Sequence, residues 1–161
     1  MKRALYIFLL SVILVSCNED ADFSSNPSLR LEFSCDTVSF DTLFTQKNSP
    51  TAMFVVRNRN KESLRISDVR LASGGQSGFS ILVDGQSGNM MRDLELRAKD
   101  SLFVLAQVSL DKNGENIPVM VQDTLLFTLE SGVQQGVLLL AYGRDVTYMR
   151  GVNLLSDTTL Q

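Results

Sequence analysis

The fold of this chain is decided by residues 51–71, which read TAMFVVRNRNKESLRISDVRL. Phe54 and Val56 occupy alternate positions in the first third of this stretch, and Leu64 and Ile66 do so in the last third. Apolar residues at every second position mark one face of a β-strand, because successive side chains point to opposite faces. The polar run between the two segments has the composition of a turn. The stretch therefore predicts two β-strands joined by a turn.

The same period of two continues on both sides of this stretch. From Leu31 onward no window shows a helical stripe, and short apolar runs alternate with turn residues. This pattern predicts an all-β fold, an immunoglobulin-like β-sandwich of seven to eight strands. The predicted strands are 31–44 with a bend near Asp36, 51–58, 64–71, 79–83, 94–96, 101–110, 124–129 and 133–142. The predicted core contains Phe33, Phe40, Phe54, Val56, Ile66, Val69, Phe79, Ile81, Phe103, Leu105 and Leu126.

The N-terminus has the composition of a cleaved export signal. Two basic residues, Lys2 and Arg3, precede an apolar run over residues 4–16, which is shorter than the roughly 20 residues of a membrane-spanning helix. The run ends at Leu14-Val15-Ser16-Cys17, which resembles the lipobox of bacterial lipoproteins. The resemblance implies cleavage before Cys17 and lipidation of its thiol, so that acyl chains hold the protein to a membrane. The alternative is an ordinary secretory signal that ends in a chance cysteine.

These features predict four segments. Residues 1–16 are the signal peptide, 17–28 a lipidated acidic tether, 29–146 the sandwich, and 147–161 a tail or the lead-in to an absent downstream domain. The acidic residues after Cys17 resemble the export signal that sends lipoproteins of the Bacteroidetes to the outer face of the outer membrane. The expected localisation is therefore the outer membrane, lipid-anchored and exposed at the cell surface. A solvated spacer is the simpler interpretation of the same acidic run.

Charge and cysteine content limit the partners. Removal of residues 1–16 changes the formal net charge from −3 to −5, which disfavours nucleic acid and anionic lipid headgroups. With Cys17 committed to lipid, Cys35 is the one remaining thiol, so no internal disulfide is expected. Cys35 shares the apolar parity of Leu31 and Phe33, which predicts a buried, inert side chain.

No catalytic residue, metal ligand or cofactor site is predicted. The chain has no histidine, which removes the usual base of serine and cysteine nucleophiles. The tetrapeptide GQSG occurs at 75–78 and at 85–88, and both copies are interpreted as loops that flank one short strand and therefore lie at opposite ends of the sandwich. The run 111–116 is interpreted as a hairpin turn in preference to a calcium loop. Asp93 and Glu95 are interpreted as a solvated strand face in preference to a catalytic pair.

The last predicted strand breaks the alternation. Residues 137–142 read VLLLAY, so both faces of this strand carry apolar side chains. We expect Leu138, Leu140 and Tyr142 to form an interaction face that the tail, a downstream domain or a partner covers. The alternative is a last strand that is buried on both faces within the sandwich.

Several hydrophobic and turn positions resemble a known type of module. They are Phe54, Val56 and Asn58 in the pattern F-x-V-x-N, Leu64-Arg65-Ile66, Lys99-Asp100-Ser101 and Leu140-Ala141-Tyr142-Gly143. Together they resemble the immunoglobulin-like modules of the ASPM/SPD-2/Hydin type, which implies a fold and no functional residue. The whole chain also resembles the N-terminal part of uncharacterised Bacteroidetes lipoproteins, in which such a module precedes a right-handed parallel β-helix. The residues that resemble the lead-in to the helix are 148–151 and 154–159.

The function expected from the sequence is therefore non-enzymatic. The leading hypothesis is a membrane-anchored surface lipoprotein whose sandwich acts as a spacer or interaction module. One alternative is a glycan-binding component of a surface polysaccharide-uptake system, although the chain has no tryptophan and three tyrosines to stack on sugars. The other is an accessory domain of a larger β-helix protein. The partners expected are the membrane, through lipid on Cys17, and an unidentified protein or glycan.

Overall fold

Alternating apolar side chains build two β-sheets of five strands each. The computed structural model describes residues 22–44, 49–110 and 119–144, and none of these residues is helical. These three ranges accordingly contain no helix that is long and apolar enough to cross a membrane. The strands are β1 Glu32–Phe33, β2 Thr37–Phe44, β3 Ala52–Arg57, β4 Leu64–Leu71, β5 Phe79–Val83, β6 Gln86–Ser87, β7 Met90–Leu96, β8 Ser101–Val108, β9 Val119–Leu129 and β10 Gln134–Arg144.

The two sheets pack face to face as an immunoglobulin-like β-sandwich, which confirms the predicted fold class. The first sheet has the strand order β1-β3-β8-β5-β6, and the second has the order β2-β10-β9-β4-β7. Neighbouring strands are antiparallel except β2 and β10, which run parallel. The core fills the space between the sheets, where Phe127 of β9 lies 5.1 Å from Phe33 and 6.5 Å from Phe54 between ring centroids.

The predicted strands occur, although the bounds of several of them differ from the prediction. The chain bends near Asp36 as expected, which separates β1 from β2. Strands β7 and β9 begin earlier than predicted, at Met90 and Val119. The short strand β6 was not predicted. It forms because Asp84 and Gly85 both adopt positive φ, 47° and 77°, and this tight turn returns the chain along β5.

Three residues that we expected in the core point outward. Phe103 is 56% exposed, and Leu105 and Leu126 are partly exposed, while Leu102, Val104 and Ala106 are buried in β8. In β9 the residues before and after Leu126, which are Leu125 and Phe127, are buried. Both strands carry apolar residues at both parities, so the period of two does not tell which set faces the core. The expectation was wrong at these three positions for that reason.

The sandwich has two ends, which we name by the end of the described chain, residues 22–144, that lies there. The amino pole carries Phe23, which pairs with Ser63, and the connections 58–63, 97–100 and 130–133. The backbone N–H of Ser24 also donates to the Ser63 carbonyl at 2.9 Å, and the Arg65 guanidinium lies 4.5 Å from the Phe23 ring. The carboxy pole carries the connection 72–78 and the ends of β2 and β10. The described chain therefore begins at one pole and finishes at the other.

A buried asparagine organises the amino pole. Asn58, the last residue of the F-x-V-x-N pattern, has no exposed surface. Its side-chain amide donates to the carbonyls of Glu62 and Leu96 at 2.8 and 3.1 Å, and its oxygen accepts from the backbone N–H of Asn60 at 3.0 Å. Because buried carbonyls need partners, this one side chain ties the β3–β4 connection to the end of β7.

Candidate interaction surfaces

The predicted interaction face lies on the outer side of the second sheet. Leu138, Leu140 and Tyr142 of β10 all point outward, because the alternate residues of this strand are buried. Leu138 and Leu140 are half-buried, and Tyr142 is 41% exposed. The three side chains therefore form one partly exposed apolar ridge along β10. That a partner binds there stays a prediction.

Two further apolar residues extend this ridge at the carboxy pole. Met120 of β9 is the register partner of Tyr142, and Phe44 of β2 is the register partner of Arg144. Met120 is 54% exposed and Phe44 is 51% exposed. We call Phe44, Met120, Leu138, Leu140 and Tyr142 together the β10 patch. Its most exposed members lie at the pole opposite to Phe23.

A second apolar surface occupies the outer side of the first sheet, where no interaction surface was predicted from the sequence. Met53 of β3, Leu105 of β8 and Leu82 of β5 form one row in register across three strands. Val55 and Phe103 form the adjacent row. Met53 is 61% exposed, Phe103 56% and Leu82 37%. We call these five residues the β8 patch. The sequence signal for it is the double apolar parity of β8, the same signal that identified β10.

A groove runs beside Leu105 in the β8 patch. Its volume is about 270 Å³. Leu82 and Leu105 form its apolar walls, and most of the other lining residues are polar. The remaining lining residues are Thr51, Ser80, Ile81, Ser87 and Gln107. An apolar cavity of about 150 Å³ admits a benzene molecule, so this groove has room for one large apolar side chain.

The edges of both sheets are less suited to binding than their faces. The long edge strands β2 and β7 are each interrupted by an acidic residue. Asp41 is the extra residue where the register of β2 shifts against β10, and Asp93 adopts a φ of +54° within β7. The other two edges, β1 and β6, are two residues long. Bulges, charges and short edges oppose the addition of a strand from another chain. Contacts with a partner are therefore expected on the faces.

A cluster of two serines and a carboxylate lies at the carboxy pole. Asp123 of β9 is 6% exposed. It accepts hydrogen bonds from the Ser73 hydroxyl at 2.5 Å, the Ser77 hydroxyl, and the backbone N–H groups of Ser73 and Thr124 at 3.1 and 2.7 Å. Burial raises the pKa of Asp123, but these hydrogen bonds together bring it below its usual value.

This cluster fastens a loop and lacks the chemistry of a nucleophile. A serine becomes nucleophilic when a nearby base accepts its proton. Here both hydroxyls donate to a carboxylate whose lowered pKa makes it a weaker base than a free aspartate. These hydrogen bonds hold the β4–β5 connection against β9. Ser77 of the first GQSG copy therefore has a structural role.

The two GQSG copies do not lie at opposite ends of the sandwich as expected. Because β6 turns back along β5, the chain after the second copy returns toward the first. A Cβ atom added to Gly75 would lie 2.6 Å from the side chain of Asn89, the residue that follows the second copy. The end of the second copy therefore lies beside the first copy, while Gly85 stays in the turn at the other end of β5.

The other candidate residues from the sequence show no arrangement typical of a catalytic or metal site in the described ranges. Asp93 and Glu95 are both exposed, and Glu95 lies 3.4 Å from Arg65. Cys35 is half-buried and packs against the core. No group of three or more His, Cys, Asp or Glu that could hold a metal ion occurs in the described ranges. The run 111–116 lies outside the described residues.

Comparison with known proteins identifies the fold. No family model and no curated protein matches the chain. A solved protein of unknown function from Porphyromonas gingivalis W83 has a TM-score of 0.52 and 18% identity over 74% of this chain and 49% of its own. The ASH/PapD-like domain 7 of human CEP192 has a TM-score of 0.43 and 10% identity, with 79% and 92% covered. The N-terminal domain of PorA has a TM-score of 0.46 and 12% identity, with 72% and 97% covered. The chain spans about half the length of the Porphyromonas protein and shares its fold.

Proposed function

We propose that this protein is a lipid-anchored surface module without catalytic activity, which holds an apolar interaction surface away from the membrane. The observation that carries the proposal is that the described chain enters and leaves the sandwich at opposite poles. The described chain joins the sandwich at the amino pole, through Phe23 and Ser63, and leaves it at the carboxy pole, where β10 finishes. A module with this topology separates whatever precedes it from whatever follows it.

The dimensions suit a spacer. Phe23 is attached to Ser63, so five residues separate it from Cys17. An extended chain advances about 3.5 Å per residue, which keeps the amino pole within about 20 Å of a lipid on Cys17. Strand β10 has 11 residues. At about 3.3 Å per residue it sets the carboxy pole about 35 Å beyond the amino pole.

The β10 patch is the surface that this spacer would present. Its three most exposed members, Phe44, Met120 and Tyr142, lie at the carboxy pole, which is the pole distant from the anchor. Exposed apolar clusters of this kind on a polar surface are typical of protein-binding sites. The blunted sheet edges favour a partner that packs on the face of the sheet in preference to one that adds a strand.

The anchor is tested with the full chain in its bacterial host. Wild type is compared with Cys17→Ala, and Cys35→Ala serves as the matched control because it removes the other cysteine. We expect wild type and Cys35→Ala to carry a hydrophobic mass increment and to partition into detergent, while Cys17→Ala does neither. Equal intact masses for all three proteins would contradict the anchor.

The spacer geometry predicts a difference between two labelling sites. In a Cys35→Ala background, a fluorophore on Lys61→Cys reports the amino pole and one on Phe44→Cys reports the carboxy pole. Energy transfer to a lipid-bound acceptor in the membrane should be stronger from position 61 than from position 44. Equal transfer, or stronger transfer from position 44, would show that the domain lies flat or inverted and would refute the spacer.

A glycan is the second candidate partner for the β10 patch. Two exposed aromatic rings, Phe44 and Tyr142, lie on neighbouring strands, and aromatic faces stack on sugars. Affinity electrophoresis in gels that contain starch, xylan or mannan tests this alternative. Retardation that Tyr142→Ala abolishes would favour a glycan, and unchanged mobility in all three gels would favour a protein partner.

A further inference from the structure

The β8 patch has the organisation of a protein interface. Its five side chains are apolar and uncharged. Polar groups surround them: Glu32 and Arg57 form an ion pair of 3.9 Å on the side of the amino pole, and Gln107 donates to Thr51 at 2.6 Å on the other side. An apolar centre with a polar rim is typical of surfaces that pack against another protein.

The size of the patch corresponds to a weak interface. It covers two rows about 7 Å apart on three strands that lie about 4.8 Å apart, which with the width of the side chains is a footprint of about 200 Å². A stable complex buries about 800 Å² on each partner, so contacts across this patch alone would give low affinity.

The patch is complementary to itself. In the row that crosses β3, β8 and β5, Met53 lies one strand to one side of Leu105, and Leu82 lies one strand to the other side. The groove begins at Leu105 and Gln107 of β8 and extends past Leu82 to Ser87 of β6. Met53 is the most exposed large apolar residue of the described chain, at 61%. A protruding side chain on one side of a central strand and a groove wall on the other side are the two halves of an isologous contact.

We propose that the β8 patch packs against the β8 patch of a second copy of this chain, about a two-fold axis that runs along β8. A rotation about this axis brings Met53 of each copy to the groove beside Leu82 of the other. Phe103 and Leu105, which lie on β8 itself, then meet their own counterparts. Two aligned sheet faces pack about 10 Å apart in this way, with their side chains interdigitated.

The direction of this axis agrees with the topology of the chain. An axis along the strands keeps both amino poles on the same side, so both copies can be anchored in one membrane. This step rests on the proposed function, whereas the packing of the two patches does not. Anchoring in a common membrane raises the effective concentration of the copies and compensates for a small interface.

The test is a photo-crosslink in cells that produce the full chain. Phe103→p-benzoylphenylalanine places the probe on the proposed axis, and Met120→p-benzoylphenylalanine places it on the opposite sheet at similar exposure. We expect light to give an adduct of twice the chain mass from position 103, with peptides of this chain alone, and none from position 120. An adduct of position 103 with a different protein, or no adduct, would overturn the proposal.

A pair of matched substitutions adds a control for folding. Met53→Asp and Met120→Asp place the same charge at exposed methionines on opposite faces. Burial of an unpaired carboxylate should lower the adduct at position 103 at least about tenfold in Met53→Asp, with no change in Met120→Asp. Equal yields in the two variants would also overturn the proposal. The intact mass of the monomer in the same cells reports lipidation, so a missing anchor and a missing dimer are distinguished.

Discussion

Replacement of Asp123 by asparagine tests how the carboxy pole is held together. Asparagine keeps one oxygen for the backbone N–H groups of Ser73 and Thr124, which donate at 3.1 and 2.7 Å. It places an amide nitrogen where the second oxygen accepts from the hydroxyls of Ser73 and Ser77. These hydroxyls can rotate and accept from the amide, so the main loss is the charge assistance of the four hydrogen bonds that the carboxylate accepts. We expect Asp123→Asn to lower the free energy of unfolding by about 2 kcal/mol at pH 7.

The pH dependence gives this prediction its sign. The folded-state pKa of Asp123 lies below its unfolded value, which is about 3.9. The ionised carboxylate therefore stabilises the fold fully above about pH 5, and this contribution disappears as the pH falls through the folded-state pKa. The difference between wild type and Asp123→Asn should thus be about 2 kcal/mol at pH 7 and should decrease steadily as the pH falls below about 4.

The assay is urea unfolding followed by far-ultraviolet circular dichroism at several pH values. The matched control is Asp36→Asn, which removes the same charge from an exposed bend and should cost less than about 0.5 kcal/mol. Thermal unfolding should show a decrease in Tm of about 8 °C for Asp123→Asn. The reasoning is refuted if the two variants are equally stable at pH 7, or if the difference between wild type and Asp123→Asn does not decrease as the pH falls below about 4.

Two further substitutions test the backbone and the amino pole by the same unfolding assay. Gly78 and Gly85 both have a φ of +77°, but a Cβ on Gly78 would lie 2.4 Å from the carbonyl oxygen of Ser109, and a Cβ on Gly85 meets nothing within 4 Å. Gly78→Ala should therefore cost about 3 kcal/mol and Gly85→Ala about 1 kcal/mol, and equal costs would show that the close approach is irrelevant. Asn58→Ala leaves buried carbonyls without donors and should cost about 3 kcal/mol, whereas Asn60→Ala should cost about 1 kcal/mol or less; the reverse order would contradict the role of Asn58.

The two apolar patches lie on different sheets, so each sheet has its own proposed binding partner. The β10 patch lies on the second sheet, with its exposed members at the carboxy pole, and the β8 patch lies on the outer side of the first sheet. Because the sheets face in opposite directions, a dimer through the first leaves the second free for a partner. The variants Met53→Asp and Met120→Asp should therefore affect separate interactions.

The local sequence was sufficient to predict the class of fold and most of its strands. Alternation at positions such as Phe54 and Val56 depends on the pleat of a single strand, and turn residues such as Asp84-Gly85 act through their own φ values. The bend near Asp36 follows from the same local pattern, because the apolar parity changes there. These features need no knowledge of distant residues.

What the tertiary structure decided depends on residues that are remote in the chain. Strand β8 is apolar on both sides, and only packing against the second sheet determines that Val104 is buried and Phe103 exposed. Asp123 acquires its role from serines 46 and 50 positions away. The groove of the β8 patch needs three strands at once. The sequence pattern of one strand predicts the conformation of that strand. Which of its faces is buried, and which residues of several strands form one surface, depends on the other strands that pack against it in the folded protein.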